Sequence, residues 1–209
     1  MTDFFVNGGP IMWPLLFCSI LVLFVVLERF IFWLTIDLRR DQGLLDEILD
    51  LCRLGKWDQV REKVRGSRDY IIRILVTGIL HREYSMSKAM ESAATEQLQK
   101  MGRFMGVLDT MITVAPLLGI LGTVIGIIHS FEILGASGIE DPRTVTGGIA
   151  QALITTATGL SIAIFSVFPF NYFRSRLRRA AHAIEQYATS LEIVYEKLDQ
   201  DPDREGTEK

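Results

Sequence analysis

Residues 110–128 read TMITVAPLLGILGTVIGII, nineteen positions without a charged side chain. A helix needs about 20 mostly apolar residues to cross a hydrocarbon core roughly 30 Å thick, so this stretch is long enough to span a bilayer. Working outward, two further uncharged runs occur, 24 residues at 4–27 and 30 residues at 144–173. In a chain of 209 residues, three such runs leave too little polar sequence to cover them in a soluble core. Composition agrees: 49% of residues are hydrophobic and mean hydropathy is +0.27, whereas a soluble domain leans polar. The expected fold class is an all-α membrane protein with three transmembrane helices, the second and third extended into a cytoplasmic helical bundle.

The 22 basic and 25 acidic residues give a formal net charge of -3, which argues against a polycationic nucleic-acid binder, and no nucleic acid is expected as a partner. Cys18 and Cys52 are too few for a disulfide framework or a zinc site, and His81, His129 and His182 are scattered. The apolar runs hold no nucleophile–base pair or metal-ligand set. Neither an enzyme nor a metal or organic cofactor is expected.

Positive charges set the expected topology. No Lys or Arg precedes the first run, which therefore lacks the basic leader of a signal peptide, and Arg39 and Arg40 follow it. The segment 37–109 holds 13 Lys or Arg against 12 Asp or Glu, the connector 134–145 holds one basic residue, Arg143, and Arg174, Arg176, Arg178 and Arg179 follow the third run. This gives a periplasmic amino end (1–10), a first span (11–36) and a cytoplasmic helical segment (37–109). A second span (110–134), a periplasmic loop (135–143), a third span (144–173), a cytoplasmic helix (174–198) and a disordered tail (199–209) follow. Glu28 and Arg29, with Asn171 and Arg174, are expected at the inner membrane interface, where Arg29 can snorkel to headgroups and where a local Glu28–Arg29 pair is the favoured reading. Trp33 fits an aromatic belt on that side and Trp13 one on the other.

Between the first two spans, Leu44, Leu45, Ile48, Leu49 and Cys52 recur at helical spacing after Asp41, an expected N-cap. Met90, Ala94, Gln97, Met101, Phe104, Leu108 and Met111 then step by fours and threes. This heptad-like stripe is expected to run into the second span with no break before Pro116. Leu177, Ala180, Ile184, Tyr187, Leu191, Val194 and Leu198 form a matching stripe after the third.

The second and third spans are rich in small and hydroxyl-bearing residues. Ala115 and Gly119 are four apart, as are Gly122, Gly126 and Ser130; in the third span Gly148, Ala152, Gly159 and Ala163 punctuate Gln151, Thr155 and Thr156. Small residues at this spacing let helix backbones approach closely in lipid, which supplies no hydrophobic drive for association. Two explanations compete for Thr123, Gln151, Thr155 and Thr156: hydrogen bonding between helices, worth about 1 kcal/mol each, or the lining of a wet ion path. Depth bears on the choice. Thr123 lies about 20 Å beyond Thr110 and Thr156 about 18 Å below Thr144 at 1.5 Å per residue. In antiparallel spans both fall near mid-membrane, at a shared polar level.

The ordered segments APLLGILGTVIGI (115–127) and GIAQALITTATGL (148–160) resemble the MotA/TolQ/ExbB proton-channel family, in its ExbB/TolQ branch. The flagellar MotA branch, with four spans and a longer chain, fits poorly. The resemblance implies a homo-pentameric ring in the bacterial inner membrane around two helices of an ExbD/TolR-like single-span partner with a membrane Asp. It also implies a TonB- or TolA-like protein as a further partner, and protons as the transported ion. Proton flow would drive work on the periplasm or outer membrane, whether TonB-dependent import, Tol-type envelope maintenance or gliding. The pore threonines of the family map onto Thr123 and Thr156, and Pro116 and Asn171 match family positions.

Two departures stand out. Gln151 occupies the place of a membrane glutamate in that branch, and Phe165 that of a proline, with Pro169 one turn later. A neutral amide cannot take up and release a proton. The three runs contain no Asp or Glu, whereas a proton relay through hydrocarbon ordinarily needs an intramembrane ionisable group. The titrating carboxylate is therefore expected on the partner helix, with Thr123 and Thr156 solvating it. From another class, the alternative is a non-conducting membrane scaffold that gathers single-span partners.

Overall fold

Once the first apolar run is helical, its inward stripe follows from spacing. Met12, Leu15, Cys18, Val22, Val25 and Arg29, three or four residues apart, are all buried, while Trp13, Phe17, Ile20, Phe24 and Leu27 stay exposed. The computed structural model describes residues 8–64, 66–67, 69–82, 84–137 and 142–199. Among these the secondary structure is helical, with no strand: α1 Met12–Leu38, α2 Gln42–Arg53, α3 Trp57–Lys63, α4 Tyr70–Leu80, α5 Met86–Gly102, α6 Met105–Ser137 and α7 Pro142–Asp199. Three helical stretches, in α1, α6 and α7, are long and apolar enough to cross a membrane. Residues 1–7 of the expected periplasmic end, 138–141 of the expected loop and 200–209 of the expected tail lie outside the described residues.

The chain divides into two compact units. The first joins Met1–Phe30 to Phe104–Arg174. It carries its large apolar side chains outward, Leu117, Ile120, Val124, Ile128, Leu153, Ile164 and Phe168 among them. An exposed apolar surface of this extent costs free energy in water and none in hydrocarbon.

The second unit joins Ile31–Arg103 to Ser175–Lys209. It is built the opposite way, with Leu45, Ile48, Val60, Ile71, Ile72, Leu75, Met90, Ile184 and Leu191 inside. Gly78 lets α4 lie against α5, since a Cβ there would stand 2.5 Å from Met90 Cγ. Two aspartates start the helices. Asp41 accepts the Leu44 N–H at 3.0 Å, as expected of an N-cap, and Asp69 accepts the Ile71 N–H at 2.8 Å.

Three expectations change. The stripe from Met86 does not run unbroken to Pro116: α5 ends at Gly102 and α6 begins at Met105. Between them Phe104 sits in the left-handed region with φ 64°, a conformation that costs a non-glycine residue about 1–2 kcal/mol. Its ring faces the Arg29 guanidinium at 5.7 Å, a contact that an uninterrupted helix does not require and that spacing cannot reveal.

Arg29 pairs locally with Glu28, as their adjacency suggests, but it is turned inward. It is 1% exposed, and its Nε and Nη2 donate to Glu28 at 2.5 and 2.6 Å. Trp33 is not turned out to a belt either. It is 4% exposed, under the Arg176 guanidinium at 5.1 Å. In both cases a cation meets an aromatic face inside the chain.

Candidate functional site

The antiparallel seam between α6 and α7 is built from residues without bulk. A Cβ at Gly119 would stand 3.0 Å from Thr156 Cα and 3.1 Å from the Thr155 carbonyl oxygen. At Gly126 it would stand 2.9 Å from Ala152 Cβ, and at Gly122 2.7 Å from Thr155 Cβ. Cβ atoms at Gly159 and Gly148 would collide with the Ala115 carbonyl oxygen and with Ser130 Oγ. Glycine is required here for close approach of one backbone to the other. The packing set Ala115, Gly119, Gly122, Gly126, Gly148, Ala152 and Gly159 thus lies on one seam, and Pro116 is carried inside α6.

Close backbones bring short side chains within bonding range. Thr123 and Thr156 Oγ1 lie 2.7 Å apart. Both also reach the Gly119 carbonyl oxygen, Thr123 at 3.1 Å and Thr156 at 2.9 Å. The shared level expected from depth is therefore a direct contact. Two hydroxyl protons serve three short contacts, so only two can be made at once. Hydroxyl rotation changes which two, and leaves oxygen lone pairs able to accept from an incoming donor. A rotated hydroxyl can instead donate to an anion. Both threonines are half-buried.

The other two candidate lining residues are placed differently. Thr155 is 1% exposed and donates to the Ala152 carbonyl of its own helix at 2.8 Å, filling the hollow left by Gly122. Gln151 is half-buried, and its carboxamide lies so close to Gly9 that a Cβ on Gly9 would overlap it. Gly9 has φ +71°, so both space and backbone call for glycine at that position. Asn171 and Arg174 are exposed, and Arg174 lies over the Phe170 ring at 5.9 Å. Phe165 is 78% exposed, while Pro169 is carried inside α7.

Sequence reasoning missed the Gly119 carbonyl as the common acceptor. Half of its role was visible, because a threonine four residues after a glycine can bond back to that carbonyl. The other half, from Thr156, is a contact between residues 37 apart. Among the described residues no group of three or more His, Cys, Asp or Glu could hold a metal.

Residues 68–186 match the profile of the MotA/TolQ/ExbB proton channel family. The chain is 32% identical over 203 residues to the biopolymer transport protein ExbB-like 3 of Synechocystis sp., covering 94% of this chain and 95% of that one. It is 39% identical over 94 residues to the biopolymer transport protein ExbB of Xanthomonas campestris, covering 45% and 37% of the two chains. With the Tol-Pal system protein TolQ of Haemophilus influenzae it shares 37% identity over 99 residues, or 47% and 42% of the two.

Proposed function

The chain belongs to the MotA/TolQ/ExbB proton channel family, and from that membership we propose that it is the ExbB/TolQ-like subunit of a proton-driven motor in the bacterial inner membrane. Five copies form a ring around two single-span helices of an ExbD/TolR-like partner. Each partner helix brings a membrane Asp, and a TonB- or TolA-like protein carries the work onward. The amino terminus is periplasmic and the carboxyl terminus cytoplasmic.

The triangle of Thr123, Thr156 and the Gly119 carbonyl carries this reading. It gives the membrane-spanning unit two rotatable hydroxyls at one level, within apolar runs that hold no acid of their own. A partner carboxylate beside the pair receives hydroxyl hydrogen bonds while charged. Once protonated, it donates to a threonine oxygen and passes apolar surface at lower cost. One charge crossing 100 mV is worth about 2.3 kcal/mol, so a few protons suffice for a mechanical step. Gln151 extends the polar path outward without titrating. The burial of Thr155 supports a packing role for it.

One observation favours a second reading. Each threonine hydroxyl has an acceptor within the chain, which is what a purely structural clasp in a non-conducting scaffold needs. Proton flux into pH-dye-loaded vesicles separates the two. The motor reading requires flux with the single-span partner present, none from this chain alone, and loss of flux in Thr156→Val. A scaffold gives no flux in any arm, and flux from this chain alone overturns the borrowed carboxylate.

A further inference from the structure

In the second unit, the end of α1 and the stretch of α7 after the third apolar run enclose a cavity of about 160 Å³ with part of α4. Among the described residues its lining is basic: Arg40, Arg176 and Arg179 against one carboxylate, Asp37. Asp37 holds Arg176 through both carboxylate oxygens, and Arg176 in turn covers the Trp33 ring. Arg40 lies over the face of Tyr70 at 5.7 Å. After the one ion pair, two positive charges remain on the wall.

Two of the lining residues also carry orphaned donors. Trp33 Nε1 and Arg40 Nε are buried and have no hydrogen-bond partner among the described residues. An unmade hydrogen bond at a buried donor costs about 1–3 kcal/mol, and more when the group is charged. Burial raises the Tyr70 phenol above its usual 10.0 despite the Arg40 charge, so the third polar group on the wall stays a neutral donor. Excess positive charge and a neutral phenol share one cavity, and together they suit an oxygen-rich anion. The volume exceeds the roughly 30 Å³ share of one water and admits a tetrahedral anion.

We propose that this cavity binds a phosphate group, with the guanidinium groups of Arg40 and Arg179 supplying the charge that holds its oxygens. The placement favours a phospholipid headgroup as the source. Trp33 lies in the last turns of a helix apolar enough to span a membrane, and Arg176 and Arg179 come three and six residues after the last apolar run. Basic pockets between spanning helices on the cytoplasmic side suit anionic headgroups.

The test uses the full chain, delipidated in a zwitterionic detergent and ¹⁵N-labelled at tryptophan. Trp33→Phe identifies the Trp33 indole signal. Short-chain phosphatidylglycerol, short-chain phosphatidylcholine and inorganic phosphate are titrated separately. The Trp33 indole N–H is expected to shift with phosphatidylglycerol while those of Trp13 and Trp57 hold still. Arg40→Gln should weaken that response roughly tenfold or more, as for the loss of one charge-assisted hydrogen bond. A response to inorganic phosphate alone supports the phosphate site and assigns it to a soluble source. A Trp33 signal unmoved by both phosphate probes overturns the proposal, as does an equal response in Arg40→Gln. The intact indole spectrum of Arg40→Gln before titration shows that the variant is folded.

Discussion

Thr123 and Thr156 touch, oxygen to oxygen at 2.7 Å, across two helices and 33 residues of sequence. The contact exists because the backbones beneath it are nearly bare, with Gly119 and Gly159 placed against each other. A Cβ at Gly159 would collide with the Ala115 carbonyl oxygen and force the helices apart, while one at Gly119 would need a shift of a few tenths of an ångström. Packing and polar chemistry in this seam are therefore one feature, and they can be separated by substitution.

Thr156→Val keeps the volume and removes the hydroxyl. Proton flux in the presence of the partner should fall at least tenfold, while folding stability changes by only about 1 kcal/mol. Thr156→Ser should retain most of the flux. Vesicle flux and thermal unfolding in detergent, measured on the same preparations, check both parts. Normal flux in the valine variant would remove the threonine from the mechanism.

Gly159→Ala should damage the fold itself, because the new methyl meets the Ala115 carbonyl. The expected loss is about 1–3 kcal/mol, the usual cost of overpacking. Gly147→Ala is the matched control, since a Cβ at Gly147 meets nothing within 4 Å. The melting temperature should drop in the first variant and hold in the second.

Asp69 is buried and accepts two backbone N–H groups, from Ile71 at 2.8 Å and from Asp41 at 3.2 Å. Asp69→Ala leaves both donors unpaired and should cost about 2 kcal/mol. Hydrogen exchange at the Ile71 and Asp41 amides should accelerate in this variant. Asp69→Asn keeps one acceptor oxygen and should lose less.

Cys52 is fully buried, and burial pushes its thiol from 9.0 up to about 11. The folded chain keeps the proton where the unfolded chain releases it. This contribution to stability is complete below about pH 9 and drains away as pH rises toward 11. Cys52→Ala should show a shallower loss of stability over that window than the parent protein. Folded protein at pH 8 should resist alkylation at Cys52, and unfolded protein should react readily.

Much of this architecture was written in composition and spacing. The three uncharged runs needed no partner to be recognised, because hydrocarbon thickness sets a length that 19 to 30 apolar residues satisfy by themselves. The small-residue repeats around Gly119 and Gly126, and the common depth of Thr123 and Thr156, follow from the rise of a helix and the antiparallel order of two spans. The Asp41 cap was legible for the same reason, since its acceptor and donor are three residues apart.

Other features depended on groups far apart in the chain, and only the tertiary structure could decide them. A stripe that reads as continuous is broken at Phe104, whose ring lies over an arginine from α1. Arg29 and Trp33 continue the buried stripe of α1, but their distant partners, the Phe104 ring and the Arg176 guanidinium, follow from no local pattern. The Gly119 carbonyl gains its second hydroxyl, Gln151 finds Gly9, and Arg40, Arg176 and Arg179 come to line one cavity. Periodicity reports which face of a helix is apolar. Which atom lies opposite a given hydroxyl, ring or guanidinium is settled by the packing of whole helices, and a one-dimensional pattern does not contain that information.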